Sequence, residues 1–369
     1  KLRASYGIGG NIGRNTAPYL IASYYDSSLV DGMAGSVNTP PNKDIRWEKT
    51  TTVNVGVDFA LFRHRLSGTI EYYNKYSVDL LAAINGSPTQ GFGYTTLMTN
   101  NGKMVNRGVE ITLSGEIIRQ KDFSWNASLL YAFNRNKVKH ISVQPSLWDS
   151  RISMPTSYPM VGKPLYGIYA YKWAGLNENG DPQVYDAENN VTSGPARDYH
   201  ALVYCGTTVP IHNASLTNVL RYKGFEFSAM LILDAGHKLR SSNIPSINMS
   251  NGRITSTAKG IVDRWTQPGD VTDVPRLLFS NDTENFNTHR TELYRYSDLF
   301  VYDASNIRLS NISLAYRVPA HWCKKISLSG ARLQFNVENV ATFAFDSKAN
   351  YDLGGKVKPN YVWGLYLNF

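Results

Sequence analysis

Few residues in this chain have the spacing that catalysis or cofactor binding demands. The seven histidines (64, 140, 200, 212, 237, 289 and 321) are dispersed, and none sits in an HExxH or comparable ligand pattern. Neither a GxSxG elbow nor a phosphate-binding loop occurs. Gly7-Ile8-Gly9-Gly10-Asn11-Ile12-Gly13 has the outline of a dinucleotide fingerprint, but its third glycine is displaced and no helical pattern follows. A loop leaving a strand is the better reading. Asn177-Glu178-Asn179-Gly180-Asp181 sets oxygen donors at alternate positions, as calcium loops do; the coordinating glutamate at the loop end is missing, which favours a turn. Cys205 and Cys323 lie far apart with no CxxC or histidine spacing, so a metal site is not expected, although one bridge between them stays open. The chain reads as neither an enzyme nor a cofactor carrier. Its remaining chemistry is aromatic. Trp148, Trp173, Tyr199, Trp265 and Tyr296 fall in polar stretches, where a ring can stack on the apolar face of a sugar while planar polar groups bond its hydroxyls. The competing reading is that each ring packs its own loop. Trp148 and Trp265 lie farthest from strand-like sequence and are the first to test.

The elements that would position these rings show a period of two, which puts successive side chains on opposite faces of a strand. Val53, Val55, Val57, Phe59 and Leu61 share one face, with Asn54, Gly56, Asp58 and Ala60 between them. Leu66, Gly68, Ile70 and Tyr72 follow, then Val109, Ile111, Leu113, Gly115 and Ile117, and then Phe123, Trp125, Ala127, Leu129, Tyr131 and Phe133. Phe225, Phe227, Ala229, Leu231 and Leu233 form a further apolar face, as do Leu333, Phe335 and Val337. The run 307–318 changes phase between Leu309 and Ile312, which marks a bulge or the strand's exit from the membrane. Very short links near 62–64, 119–121 and 222–223, with a modest one near 319–328, alternate with long polar stretches near 8–46, 78–103, 137–209, 237–304 and 341–357.

That alternation selects a fold class. A soluble sandwich has no reason to gather its long loops at one end, whereas outer-membrane barrels have tight periplasmic turns and long extracellular loops. No run of about 18 apolar residues is present, which removes helical spans and leaves a closed barrel as the way across a bilayer. The expected fold is therefore all-β, a transmembrane antiparallel β-barrel of which about ten strands are present. A net charge of +9 with scattered Lys and Arg fits a loop-rich solvated surface, and nucleic-acid binding is not expected. The 24 tyrosines suit interfacial girdles. The final strand carries Tyr361, Trp363, Leu365, Leu367 and Phe369 on one face. A terminal Phe on such a strand resembles the sorting signal read by the barrel-assembly machinery, which puts the short turns in the periplasm. A single extra crossing at 166–176 would reverse everything downstream, so that segment is placed within an outer excursion, as part of a small hairpin; 259–265 reads as a short helix in another. No signal peptide opens the sequence, so the chain is expected to begin within a longer one.

Several stretches resemble the SusC/RagA family of TonB-dependent transporters, in family order: KLRASYGIGGN (1–11), WEKTTTVNVGVDFALFRHRLSGTIEYYNKYSVDLL (47–81), NRGVEITL (106–113), VGKPLYGIYAYKWAGLNENGDPQVYD (161–186), YKGFEFSAMLILDAGHKLR (222–240), RWTQPGD (264–270) with VPR (274–276), NIRLSNISLAYRVP (306–319), NVENV (336–340) and the ending YVWGLYLNF. The resemblance implies a barrel of roughly 22 strands, of which residues 1–369 would supply the C-terminal part. It implies active import of oligosaccharides or, less favoured, peptides. It also implies four partners: outer-membrane lipid, an N-terminal plug with the rest of the barrel, the TonB complex and a SusD-like surface lipoprotein. A plug and a TonB box are not recognised in this sequence. A passive outer-membrane porin or structural barrel and a soluble β-rich carbohydrate-binding module are the alternatives.

Overall fold

The computed structural model describes residues 1–13, 18–27, 32–39, 41–85, 96–143, 149–194, 198–249, 258–279, 288–353 and 358–369. Ten strands make one sheet: β1 (Leu2–Asn11), β2 (Glu48–Leu61), β3 (Leu66–Asn85), β4 (Thr96–Arg119), β5 (Phe123–His140), β6 (His212–Tyr222), β7 (Phe225–Ala235), β8 (Asn306–Arg317), β9 (Gly330–Ala344) and β10 (Asn360–Asn368). Each is antiparallel to its sequence neighbour, and the spatial order is the chain order. A meander of this kind puts every second connection at the same end. The short links therefore gather at one end and the long excursions at the other.

The short links are economical. Four residues join β2 to β3, and three of them, Phe62, Arg63 and His64, take positive φ of 54°, 57° and 67°. Such a run costs each non-glycine residue about 1–2 kcal/mol. It is held by the Arg65 guanidinium, which donates to the Glu116 and Ile117 carbonyls at 3.2 and 3.1 Å on the neighbouring strand. Lys223 (φ 51°) and Gly224 turn β6 into β7. The phase change in β8 is a bulge: pairing with β9 passes from Leu309↔Ala341 to Asn311↔Glu338, with Asn339 at φ 53° on the longer side.

Two sequence expectations need correction. The stretch 78–103 is mostly ladder, because β3 runs to Asn85 and β4 resumes at Thr96. Asp79 (φ 56°) and a register shift between Ser77 and Leu80 mark where that hairpin leaves the regular pattern. Similarly, β1 continues to Asn11 and β5 to His140. These extensions lack the apolar alternation of the lower strands, which is why they read as loop.

No second layer covers the apolar face of the sheet among the described residues. Val53, Val55, Val57, Ile70, Leu231, Leu314, Leu333 and Leu365 are all exposed. In water such a surface would be several strands wide and untenable; in lipid it is the ordinary condition of a barrel wall. Aromatic contacts edge it, with Phe335 against Trp363 at 4.1 Å between ring centroids and Phe225 against Tyr316 at 4.5 Å. Tyr361, Trp363, Leu365, Leu367 and Phe369 all lie exposed on this face or at its end.

The packed protein core sits instead in the excursions. Tyr169, Tyr171, Val184, Ala201, Leu202 and Leu293 form one cluster, and Ile247, Tyr294 and Phe300 a second. Segment 166–176 adds no strand to the main sheet: Gly167–Tyr171 pairs with Leu202–Thr207, and Trp173–Leu176 makes a hairpin with Pro182–Tyr185. The expected short helix at 259–265 is a 3-10 turn over Lys259–Asp263.

Candidate functional site

Two surfaces qualify: the polar face of the wall and the cluster built on its outer end. On the wall, register decides which side chains meet. Arg3, Gly56 and Glu71 are aligned across β1, β2 and β3. Because Gly56 has no side chain, Arg3 spans it to reach Glu71 at 2.5 Å, while its Nε and Nη2 donate to the Asp58 carboxylate at 2.9 Å each. Thr69 donates to the same carboxylate at 3.1 Å. Farther round, Glu226 accepts from Arg221 at 2.7 Å and Arg332 at 3.2 Å, and Asp234 accepts from Asn213 at 2.7 Å. Higher up, Tyr73 lies across Gly108, where a Cβ would collide with its phenol and with the Phe133 carbonyl. Lys75 sits over the same ring, 5.1 Å from its centroid. This face of alternating charge and amides is what a water-filled interior needs, and it backs directly onto the bare apolar face.

The outer cluster interlocks two excursions that are distant in sequence. The Tyr171 amide donates to the Tyr296 carbonyl at 2.9 Å. Arg240 donates to the Tyr169, Ser297 and Arg295 carbonyls at 2.7, 3.2 and 3.2 Å, and burial lowers its pKa. Asp181 is the anionic hub. It accepts two bonds from Arg276, at 3.1 and 3.0 Å, and one from Arg290 at 2.6 Å. The Arg290 side chain is only 2% exposed, and its charge depends on that carboxylate. From the third excursion, Asp352 accepts from the Ser241 and Ser242 hydroxyls at 2.8 and 2.6 Å.

Four of the five aromatic residues singled out in the sequence are brought into this cluster, and most of their ring surface is spent on packing. Trp173 bridges both core clusters, 5.9 Å from the Tyr294 ring, and its indole N–H donates to Asp273 at 3.0 Å. Trp265 lies flat on the 177–181 turn, over Gly180 (φ 73°), where a Cβ would strike the indole. Tyr199 packs between His200, at 4.1 Å, and the Arg151 guanidinium, at 5.0 Å. Tyr296 lies under Arg240 and Arg295, at 5.7 and 5.9 Å. Trp148 falls outside the described residues. The 177–181 segment is a closed turn: Asn177 Oδ1 accepts from the Asn179 and Asp181 amides at 3.0 and 2.9 Å, and the Asp181 carboxylate is taken by arginine. Cys205 is in the outer cluster and Cys323 in the short-link helix Ala320–Lys324 at the opposite end; both are free thiols. The Asp181–Arg276–Arg290 hub carried no sequence signal, because its members are 95 and 109 residues apart.

The sequence profile described as TonB dependent receptor-like, beta-barrel matches residues 1–340. TonB-dependent receptor P3 of Formosa agariphila is 26% identical over 99% of this chain, and TonB-dependent receptor SusC of Bacteroides thetaiotaomicron is 26% identical over 92%. These alignments span 37% and 34% of those two proteins, so the chain covers little more than a third of their length. Among solved structures, the RagAB peptide transporter superposes with a TM-score of 0.76 at 24% identity, over all of this chain and 40% of that one. That likeness speaks to the fold, and it places the ten-stranded sheet as an arc of a larger barrel wall. Residues 1–369 thus belong to the TonB-dependent receptor β-barrel family, as a SusC/RagA-like outer-membrane protein.

Proposed function

We propose that this chain is the C-terminal arc of an energy-coupled importer, and that the plug, the TonB-contacting segment and the remaining strands belong to the rest of the same protein. The observation that carries the reading is the two-sided wall: a bare apolar face, an ion-paired polar face and long connections gathered at one end. The outer strands β1 and β10 have no partner on their far sides among the described residues. In hydrocarbon each unpaired backbone group costs several kcal/mol, so further strands must complete the ring. The cargo is an oligomeric nutrient too large for ordinary porins, an oligosaccharide or a peptide. A SusD-like surface lipoprotein docks on the outer cluster, where Trp173, Tyr199, Trp265 and Tyr296 serve as struts of the docking surface. The strand that carries Tyr361, Trp363, Leu365, Leu367 and Phe369 on its apolar face serves as an assembly signal.

Whole-cell uptake tests this. The full-length protein, expressed with its neighbouring lipoprotein, should accumulate labelled oligosaccharide or peptide only when TonB is present, and a protonophore should abolish accumulation. Uptake independent of TonB, with steady conductance of the purified protein in planar bilayers, would identify a passive porin instead.

A further inference from the structure

The polar face ends in a patch that is not polar. Where β3, β4 and β5 outrun the apolar band, a cavity of about 380 Å³ opens between the wall and the 156–165 segment. Its sides include Leu80, Leu81, Met98, Met104, Val138 and Leu165. Alternation places it on the cargo side: Met104 is in phase with Glu110 and Thr112, and Val138 with Ala132 and Asn134. Ser77, paired with Met104, bonds the Thr50 hydroxyl at 2.8 Å on that same face. The bulge around Asp79 then rolls Leu80 over Gly102, where an added Cβ would lie 2.9 Å from the Leu80 Cβ.

The cavity is held open by specific bonds. Gly162 N–H donates to the Val138 carbonyl at 2.8 Å, Val138 N–H donates to the Lys163 carbonyl at 2.9 Å, and Leu165 N–H donates to Asn136 Oδ1 at 2.8 Å. These bonds fix the outer segment as a roof. Around the cavity, the Glu48 carboxylate is anchored by the Leu81 amide and the Asn11 side chain, at 2.9 Å each, and Lys103 and His140 also line it.

Among the described residues, the lining contains no Trp, Tyr or Phe. A sugar ring stacks best on a flat aromatic face, and none of the described lining residues offers one. Aliphatic and thioether walls suit an aliphatic or thioether guest, and methionine adapts to guests of different shape. A carboxylate and an amine in the lining suit a chain whose termini and backbone carry both polarities. We propose that this cavity receives an apolar amino-acid side chain of an oligopeptide cargo, so that peptides rather than glycans are imported. The proposal rests on the importer reading above and names its substrate class.

The test uses the purified full-length transporter with three probes: the peptides Ser-Leu-Met-Leu-Ser and Ser-Ser-Gly-Ser-Ser, and maltohexaose. Calorimetry should show the leucine–methionine peptide binding at least about tenfold more tightly than the serine–glycine peptide, the discrimination expected from burying one such side chain. Met104→Gln, of nearly equal volume, should remove most of that preference, whereas Met104→Leu should keep it; heat-modifiable gel migration verifies that both variants fold. Equal affinity for the two peptides, an unchanged preference in Met104→Gln, or tighter binding of maltohexaose would overturn the proposal. Parallel uptake assays separate the two readings: the binding pattern without TonB-dependent accumulation refutes the importer and leaves the cavity assignment standing.

Discussion

Replacing Asp181 with asparagine keeps the shape of the outer cluster and removes the charge that two guanidinium groups share. Arg290 cannot turn to water, since its side chain is 2% exposed, and it also donates to the Ile247 and Arg276 carbonyls. Breaking a buried pair by removing one partner costs about 3–5 kcal/mol. Asp181 is itself 20% exposed and Arg276 25%, so water recovers part of the loss and about 3 kcal/mol is the expected effect. That cost falls on local opening of the cluster and not on the barrel. At 1.36 kcal/mol per decade, amide exchange in Trp173–Leu176, Pro182–Tyr185 and Thr288–Arg295 should quicken by roughly 150-fold. Hydrogen-exchange mass spectrometry of the full-length protein reads this directly, with β2–β5 as internal control. Unchanged protection in those three segments, or equal loss along the barrel strands, would refute the claim that Asp181 organises the cluster.

Gly108→Ala should lower the temperature of the heat-modifiable gel shift, because the new methyl meets both Tyr73 and the Phe133 carbonyl; overpacking of this kind costs about 1–3 kcal/mol, and Tyr73→Ala in the same protein should recover part of it. Burial pushes the Cys205 thiol up to about 11. In a Cys323→Ser background its maleimide labelling should climb with pH through 9.5 without levelling, and a plateau near pH 8.5 would contradict the burial. Burial depresses the pKa of His237 against the opposing pull of Asp234 and Asp303. The unfolded segment then binds the proton more readily, so stability rises with pH and falls away as pH drops below about 6.5. Acidification from pH 7.5 to 5 should lower the protection factors of the Lys238–Arg240 amides, exchange being normalised to the intrinsic rate at each pH, and His237→Gln should flatten that response.

The barrel strands were legible because lipid imposes a rule on sequence. Val53, Val55 and Val57 are apolar every second residue since one face meets hydrocarbon and the other water, and even the bulge at Ser310 shows as a slip of phase. The rule lapses where strands leave the bilayer, so 78–85 and Thr96 onward read as loop although the ladder continues. The excursions hid more. Trp173 and Trp265 sit in polar sequence, but the partners that bury them, Tyr294 and Gly180, are 121 and 85 residues away, and no local pattern encodes such meetings. Asp181 likewise looks like an exposed turn residue until its two arginines are placed.

The bond from Tyr171 to Tyr296 has a bearing on biogenesis. Its two halves emerge on opposite sides of the β6–β7 hairpin, so the knot of outer segments cannot tighten until that hairpin has crossed the bilayer. Segments exported early must wait, solvated and open, for those that follow. A chain stalled before that hairpin would display Tyr169, Tyr171 and Leu293 to proteases, and one past it would not: closure of the knot is a built-in mark that β6 and β7 have inserted.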